Sequence, residues 1–218
     1  FVVVSAVNPR FLSDTNINSI FAGNAYIAIA AIGMSMVIVA GHIDVSVGSV
    51  MSVTVVAASF LLAMKTPLPL LLLGVVLCVL IGLVVGLVNG ALIRYARINA
   101  IITTIATLSV LQGIALIGRP TPGGMLSQDF TEFLRTRIGF LPVSVFFLVA
   151  FALLSDWWLH RTRTGLEAKA VGFREEAARR NGVRVDRVHL RAYVLAGVLA
   201  AVAGLFLGSE VGVGHPTI

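Results

Sequence analysis

The chain has 218 residues, of which 58% are hydrophobic and only 12% are charged, and its mean hydropathy is +0.99. A soluble globular domain carries about 25% charged residues, so this sequence lacks the charge to cover a surface that faces water. The net charge is +6, yet no helix-turn-helix, zinc-finger or RNA-binding motif accompanies it, which argues against a nucleic-acid partner. The composition therefore predicts an all-α integral membrane protein that crosses the lipid bilayer several times.

Apolar runs predict where the chain crosses the bilayer. A crossing needs about 20 apolar residues, because the hydrocarbon core is about 30 Å thick. The run at residues 20–64 is too long for one crossing, and we divide it at residues 41–44, which contain its only acidic residue, Asp44. One partial span and six fuller ones are predicted: 1–7, the two halves of 20–64, 68–93, 100–118, 143–159 and 190–208.

Basic residues predict the orientation of the chain in the membrane, because Lys and Arg accumulate in cytoplasmic loops. Residues 160–189, between the last two predicted spans, contain eight of them. If this segment is cytoplasmic, alternation places eleven basic residues inside and five outside, the outer ones being Arg10, Lys65, Arg119, Arg135 and Arg137. We therefore predict that residues 160–189 are cytoplasmic.

Small residues recur at every fourth position in two of the predicted spans. Residues four apart share one face of a helix, and small side chains let two backbones approach closely in lipid. We expect both helices to be inner members of a compact bundle. The residues are Gly74, Cys78, Gly82, Gly86 and Gly90 in one span, and Ala192, Ala196, Ala200, Gly204 and Gly208 in the other.

The basic segment 160–189 is predicted to form two short helices. Thr164 is expected to cap the first, which Gly172 ends, and the second covers residues 174–181 and ends at Gly182. Two i,i+4 ion pairs are expected along the second helix, Glu175 with Arg179 and Glu176 with Arg180. The small Ala177 and Ala178 leave room for an approaching partner surface. From this pattern alone, a solvated loop helix and a docking helix are both open interpretations.

Motifs along the chain resemble those of the permease subunits of bacterial ABC importers. Glu176, Ala177 and Ala178, then three residues and Gly182, are similar to the EAA-x3-G pattern of that family. Residues 41–49, GHIDVSVGS, resemble the GGIDLSVGS motif of its ribose-type sugar permeases. Further stretches resemble family motifs in the same order, at 88–98, 161–182 and 193–197. The resemblance covers essentially the whole chain.

The resemblance implies a polytopic helical bundle of the ABC importer permease type in the bacterial inner membrane. Residues 1–218 would form one transmembrane domain, with a cytoplasmic coupling loop at 160–189. The coupling helix, which the family docks on an ATPase subunit, would carry Glu175, Glu176, Ala177, Ala178 and Gly182. The family's chains are usually longer at both ends, and this sequence starts without Met, so we expect it to be a fragment.

The same resemblance implies several partners. The sequence contains no GxxxxGK[ST] phosphate-binding loop, so the ABC ATPase is expected to be a separate subunit and this chain is not expected to be an enzyme. A solute-binding protein outside the membrane, for which residues 119–142 are a candidate contact, and a second permease subunit, identical or related, are also implied. No cofactor and no metal site are expected, since the single cysteine, Cys78, lies inside an apolar run.

Asp44 is the most conspicuous polar residue within the predicted spans. A carboxylate at membrane depth is costly and suggests a functional site, yet Asp44 or Ser46 could instead cap the helix that follows. His42, beside Asp44, is interpreted as an interfacial packing residue and not as a ligand, because no second His or Cys and no further carboxylate clusters with this pair in the sequence. Candidates for a solute path or gate are Asp44, Ser46, Asn89, Thr103, Thr104, Thr107 and Gln112.

The function that these observations favour is ATP-driven import of a small polar solute, foremost a monosaccharide, by alternating access. The GIDLSVGS-like segment favours a sugar over two alternatives within the family, branched-chain amino acids and nucleosides. An alternative from another class is a secondary transporter in which Asp44 carries a coupled proton or ion. An intramembrane enzyme is disfavoured, because the sequence has no paired carboxylates, no HExxH motif and no nucleophile with an adjacent base.

Overall fold

A computed structural model describes residues 11, 13–64, 66–139 and 141–217; the predicted partial span 1–7, Arg10 and Lys65 lie outside this part. The helices are α1 (Asp14–Val39), α2 (Val47–Leu61), α3 (Leu68–Arg94), α4 (Ala100–Gly118), α5 (Gln128–Arg135), α6 (Val143–Arg161), α7 (Arg163–Phe173), α8 (Glu175–Arg180) and α9 (Val185–Val211). Four short strands form two antiparallel pairs, β1 (Gly123–Met125) with β4 (Val213–Gly214), and β2 (Arg137–Ile138) with β3 (Leu141–Pro142).

Five helices are long and apolar enough to cross a bilayer within the described ranges: α1, α3, α4, α6 and α9. They match five of the predicted spans, and this confirms the prediction of a helical, polytopic membrane protein. Two helices begin earlier than predicted, α1 at Asp14 instead of residue 20 and α9 at Val185 instead of residue 190. The first turn of α9 carries charged residues, which are not part of an apolar run.

Helix α2 corrects the prediction that the second half of residues 20–64 is a full span. It has 15 residues, which at about 1.5 Å per residue make about 22 Å, too short for a hydrocarbon core of about 30 Å. Ten of its residues are buried, including several serines and threonines. Their hydroxyls donate to carbonyl oxygens three or four residues earlier, as in Thr54 to Val50, so burial leaves these hydroxyls paired.

Gly41 ends helix α1 by adopting a left-handed backbone conformation. Gly41 has φ +89°, and its N–H donates to the carbonyl oxygen of Ile38 while the N–H of His42 donates to that of Val37. This is the Schellman arrangement, which satisfies the last carbonyls of a helix. The chain then leaves the helix and reaches Ser46, the N-cap residue of α2.

Helix α9 lies at the centre of the bundle, as its small residues predicted. Its glycines and alanines pack against α1, α2 and α3, and a Cβ added at Gly82 of α3 would collide with the carbonyl oxygen of Gly197. The same prediction is wrong for α3. Its stripe of small residues is buried, but the leucines and valines on its other faces are exposed, so α3 is a peripheral helix with one buried face.

The two ends of the bundle are built differently. At one end, which we call the basic face, lie α7, α8, the start of α9 and residues 41–43. At the other, the hairpin face, the β1–β4 pair and α5 cover the end of α2. There Arg119 donates to the hydroxyl of Ser59 at 2.6 Å, and its guanidinium carbon lies 4.1 Å from the ring centroid of Phe60.

Candidate functional site

Helix α8 on the basic face has the form that the sequence predicted. Both i,i+4 ion pairs are present, Arg179 to Glu175 at 2.9 Å and Arg180 to Glu176. Gly182 has φ +81°, and a second Schellman arrangement closes the helix, since Gly182 and Val183 donate to Arg179 and Ala178. The preceding helix α7 is capped by Thr162, whose hydroxyl accepts from the N–H of Gly165, so the prediction of a Thr164 cap is wrong.

One surface of α8 is already covered by the chain itself. Ala178 is 5% exposed and packs with Val171 of α7 and with Val185 and Val188 of α9. The expectation that Ala178 faces a partner is therefore wrong, because its methyl group attaches α8 to the bundle. Glu176 is exposed, and Phe173 at the end of α7 is 92% exposed, so these side chains form the free surface of the segment.

Arg94 ties this segment to the spanning helices. It is the last residue of α3, and its Nε donates to Asp186 of α9 at 2.9 Å while its Nη2 lies 3.3 Å from Glu175 of α8. The Arg94 side chain is only 14% exposed. Partial burial raises the pKa of Glu175, but the hydrogen bond from Arg179 and the charge of Arg94 outweigh it and lower that pKa below its usual value. Three helices thus meet at one partly buried guanidinium.

Four of the seven predicted path residues form one hydrogen-bonded chain, which we call the polar chain. Asp44 Oδ1 accepts from the N–H of Ser46 at 2.8 Å and from its hydroxyl at 2.6 Å. Asn89 donates to the Ser46 hydroxyl oxygen at 2.9 Å, and Thr107 donates to Asn89 Oδ1 at 2.6 Å. Asn89 stands five residues before the end of α3, which places the polar chain about 8 Å inside the basic face.

Asp44 has a different role from the helix cap that the sequence suggested. A capping side chain accepts from the second or third N–H of the helix, whereas Asp44 accepts from the N–H of Ser46, which precedes α2. Ser46 occupies the N-cap position but makes no capping bond, because its hydroxyl is used within the polar chain. The carboxylate therefore fixes the turn into α2, and Ser46 joins that turn to α3.

The other three candidates lie outside the polar chain. Thr103 and Thr104 donate to the carbonyl oxygens of Asn99 and Ala100 in their own helix. Gln112 donates to the carbonyl oxygen of Pro216 at 2.6 Å, near the hairpin face. Thr103 also borders a groove of about 490 Å³ between α3 and α4, which is lined mainly by valine, leucine and isoleucine.

A larger, polar cavity of about 660 Å³ opens at the basic face. Residues 41–43 form one side of it, and the end of α3 and the start of α4 form another. Its charged and polar lining consists of His42, Arg94, Arg97, Asn99, Arg179 and Asp186. The short segment between α1 and α2 thus contributes residues both to this cavity and to the polar chain.

Two features of this region were missed in the sequence. His42 stacks on His189 of α9, with ring centroids 4.0 Å apart, so a second histidine does lie against it. Arg94 was assigned only a topological role. The partners of Arg94 lie 81 and 92 residues away, and no local spacing signals such pairs. Within the described residues, no group of three or more His, Cys, Asp or Glu could hold a metal ion.

The fold and these sites define a helical membrane bundle with an ordered basic segment on one face. Residues 16–218 match the family model described as "Branched-chain amino acid transport system / permease component". The chain belongs to this family of permease components, which are transport subunits and not enzymes, and which lie in the inner membrane.

Curated relatives agree with this assignment. The chain is 33% identical to the ribose import permease protein RbsC of Haemophilus influenzae, over 99% of this chain and 67% of that protein. It is 34% identical to the autoinducer 2 import system permease protein LsrC of Enterobacter sp. (strain 638), over 97% and 61%. It is 32% identical to the autoinducer 2 import system permease protein LsrD of Escherichia coli (strain K12), over 97% of this chain and 65% of that protein. The chain thus spans about two thirds of these relatives. No solved structure matches it significantly.

Proposed function

We propose that the protein is the membrane subunit of an ABC importer that moves a small polar solute, foremost a monosaccharide, into the cell by alternating access. The observation that carries this proposal is α8. It combines the EAA-x3-G sequence with a glycine-closed helix, two exposed ion pairs and an attachment through Arg94 to α3 and α9. A helix that receives force from a partner and passes it to the bundle needs both a free surface and such an attachment.

The proposed solute class rests on two observations. The relatives are named for import of ribose and of autoinducer 2, which are small and polar. The polar chain offers hydroxyl, amide and carboxylate groups at membrane depth, and such groups can exchange their mutual hydrogen bonds for bonds to a polyol. Branched-chain amino acids and nucleosides are the alternatives, and competition for uptake by these solutes would distinguish them.

The proposed partners follow from the same arrangement. A separate ATPase would dock on α8 at the basic face, in the cytoplasm, and a solute-binding protein would contact residues 119–142 at the hairpin face. A second permease subunit would complete the transporter. In this proposal, residues 1–218 belong to one transmembrane domain, with residues 160–189 as its coupling loop.

Thiol labelling tests the orientation. In a Cys78→Ser background, Phe173→Cys and Met125→Cys place one thiol on each face, since these side chains are 92% and 59% exposed. We expect an impermeant reagent to modify position 173 only from the cytoplasmic side and position 125 only from outside. The reverse pattern would overturn the assignment of α8 to the cytoplasm.

Uptake into vesicles tests the energy source. With ATP clamped and the proton gradient removed, we expect uptake to persist in the complete transporter. Gly182→Val, which places a branched residue at φ +81°, and Glu176→Lys, which replaces an attraction to Arg180 by a repulsion, are expected to abolish it. The Glu176 side chain is 74% exposed and a Cβ added at Gly182 meets nothing within 4 Å, so folded yield should stay near normal.

The rival proposal, a proton- or ion-coupled carrier that uses Asp44, predicts the opposite result. Its uptake would stop when the gradient is removed and would be indifferent to both α8 variants. Loss of uptake with the gradient, together with normal uptake by Gly182→Val, would refute the ABC proposal. Asp44→Asn adds a second criterion, because the amide oxygen still accepts from Ser46 and a path that needs only hydrogen bonds should keep much of its activity.

A further inference from the structure

We propose that residues 41–44 form a gate between the polar chain and the cavity at the basic face, and that α7 and α9 move this gate. This inference rests on the proposed function, since the force is taken to enter through α8. It assigns a specific task to a segment that neither the family match nor the relatives' names describe.

The first support is the position of the segment. Gly41, His42 and Ile43 line the cavity of about 660 Å³, and Ile43 is 46% exposed. Asp44, the next residue, is only 4% exposed and accepts from the N–H of Ser46. Consecutive residues therefore belong to the cavity wall and to the polar chain, so a displacement of this segment would open the polar chain to the cavity.

The second support is a backbone contact with α7. Gly172 lies directly against the end of α1, and a Cβ added to it would collide with the carbonyl oxygen of Val39 and lie 3.1 Å from the nitrogen of Gly41. Two backbones in such contact cannot slide past each other without one displacing the other. Because α8 follows α7 after a single residue, Arg174, a movement of the coupling segment reaches Gly41 directly.

The third support is a set of contacts from α9 to Ala40 and His42. A ring nitrogen of His189 lies 3.0 Å from the carbonyl oxygen of Ala40, and its ring stacks on His42 at an interplanar angle of 3°. One turn further along α9, the hydroxyl of Tyr193 lies 3.4 Å from Nδ1 of His42. His189 and Tyr193 are 1% and 0% exposed, so both are fixed by packing and can position Ala40 and His42.

The conformation of the segment suits a hinge. Gly41, at φ +89°, ends α1, and no regular structure is present until α2 begins at Val47. Hinges are short stretches at the ends of elements that absorb changes in backbone dihedral angles, and this stretch is bounded by two helices that are themselves well packed. The contacts from α7 and α9 act on its first two residues, Gly41 and His42, and the polar chain begins at its fourth.

The test uses a reporter thiol behind the gate. Ser49 is 3% exposed and its hydroxyl donates to the carbonyl oxygen of Ser46, so Ser49→Cys, in a Cys78→Ser background, places a thiol next to the polar chain. The complete transporter, with its ATPase, is studied in inside-out vesicles, without nucleotide and after trapping with ATP and vanadate. We expect the rate of modification by a small impermeant thiol reagent to differ by at least about tenfold between these states.

Variants at two contacts test whether α7 and α9 move the gate: the contact of Gly172 with the end of α1, and the stacking of His42 on His189. Gly172→Ala and His42→Ala should reduce the difference to less than about threefold, while stimulation of ATP hydrolysis by loaded binding protein is retained. His42→Phe, which keeps a stacked ring, should preserve the difference. The matched control is Gly48→Ala, also in this region, where an added Cβ meets nothing within 4 Å. If Gly172→Ala fails to fold, the comparison of His42→Ala with His42→Phe still tests whether the contact with α9 moves the gate.

The outcomes separate the gate from the proposed function. Equal labelling in both states of the parent, or an unchanged difference in Gly172→Ala and His42→Ala, would overturn the gate while leaving the ABC assignment in place. Failure of the ATPase to bind or to respond to loaded binding protein would instead count against the proposed function.

Discussion

Helices α6 and α9 are both apolar enough to cross a bilayer. Yet only 17% of the residues in an apolar 18-residue stretch of α6 are buried in the bundle, whereas 67% are buried in the corresponding stretch of α9. The difference lies in side-chain size. Helix α6 carries phenylalanine, leucine and tryptophan, whereas α9 carries alanine and glycine where it meets its neighbours. In lipid there is no hydrophobic gain from hiding a leucine, so close packing decides which helix is central. Hydropathy identifies the spans, and small residues identify the helix faces that pack closely against a neighbour.

The largest loss of stability is expected when a glycine at the contact between α3 and α9 is replaced by a larger residue. Gly82→Leu would force a side chain into the carbonyl oxygen of Gly197, and no flexible group is available to yield. We expect a loss of stability of about 3 kcal/mol or more, and little folded protein in detergent. Gly113→Leu on α4, where an added Cβ meets nothing within 4 Å, is the control and should give a normal yield. Equal yields would show that the contact is not tight.

A smaller effect is expected in the polar chain, where α2 and α4 meet α3. Asn89→Leu would remove one donor and one acceptor at a fully buried site, leaving Ser46 and Thr107 without their partner. Buried polar groups that lose a partner cost about 1–3 kcal/mol each. Thermal unfolding in detergent measures this, with Ser109→Ala as the control, because Ser109 is exposed and bonds only within its own helix. A variant as stable as the parent would show that water replaces the lost bonds.

Arg94→Gln is expected to act on coupling more than on stability. The substitution removes the charge that holds Asp186 and Glu175 while the bundle keeps its α3–α9 packing. We expect a loss of about 1–2 kcal/mol, since the two acids can turn towards water, and a clear fall in uptake for each ATP hydrolysed. Arg163→Gln is the matched control, because its pair with Glu167 is 92% exposed on the arginine side. Identical coupling ratios in the two variants would exclude a special role for Arg94.

The smallest effect is expected on α6. Leu153 is 66% exposed in the bundle, so Leu153→Ala exchanges one lipid- or partner-facing side chain for a smaller one. We expect a change in stability within about 0.5 kcal/mol. The same substitution at Leu199 of α9, which is 7% exposed, is expected to cost about 2–5 kcal/mol. Similar losses at both positions would contradict the view that packing against protein, and not hydropathy, separates the two helices.

The same contrast explains what the sequence could predict. Five of the predicted spans, the glycine that ends α8 and its i,i+4 pairs depend on local spacing, and these predictions are confirmed. The short helix α2 was taken for a full span, because serines and threonines that bond their own backbone leave an apolar pattern unbroken. Arg94, His189 and Tyr193 were not identified, because their partners lie 81 to 151 residues away and only the packing of helices brings them together.

The shortness of α2 has a consequence for how the protein responds to its bilayer. Helices whose sides contact lipid must tilt, or deform the membrane around them, when hydrocarbon thickness and helix length disagree. Helix α2 is held between α3, α4 and α9, with the polar chain at one end and Arg119 at the other, so acyl chains do not set its tilt. In thicker or thinner membranes, α4 and α6 should therefore change their tilt while α2 keeps its orientation in the bundle. The tilts of α4 and α6 can be measured relative to α2.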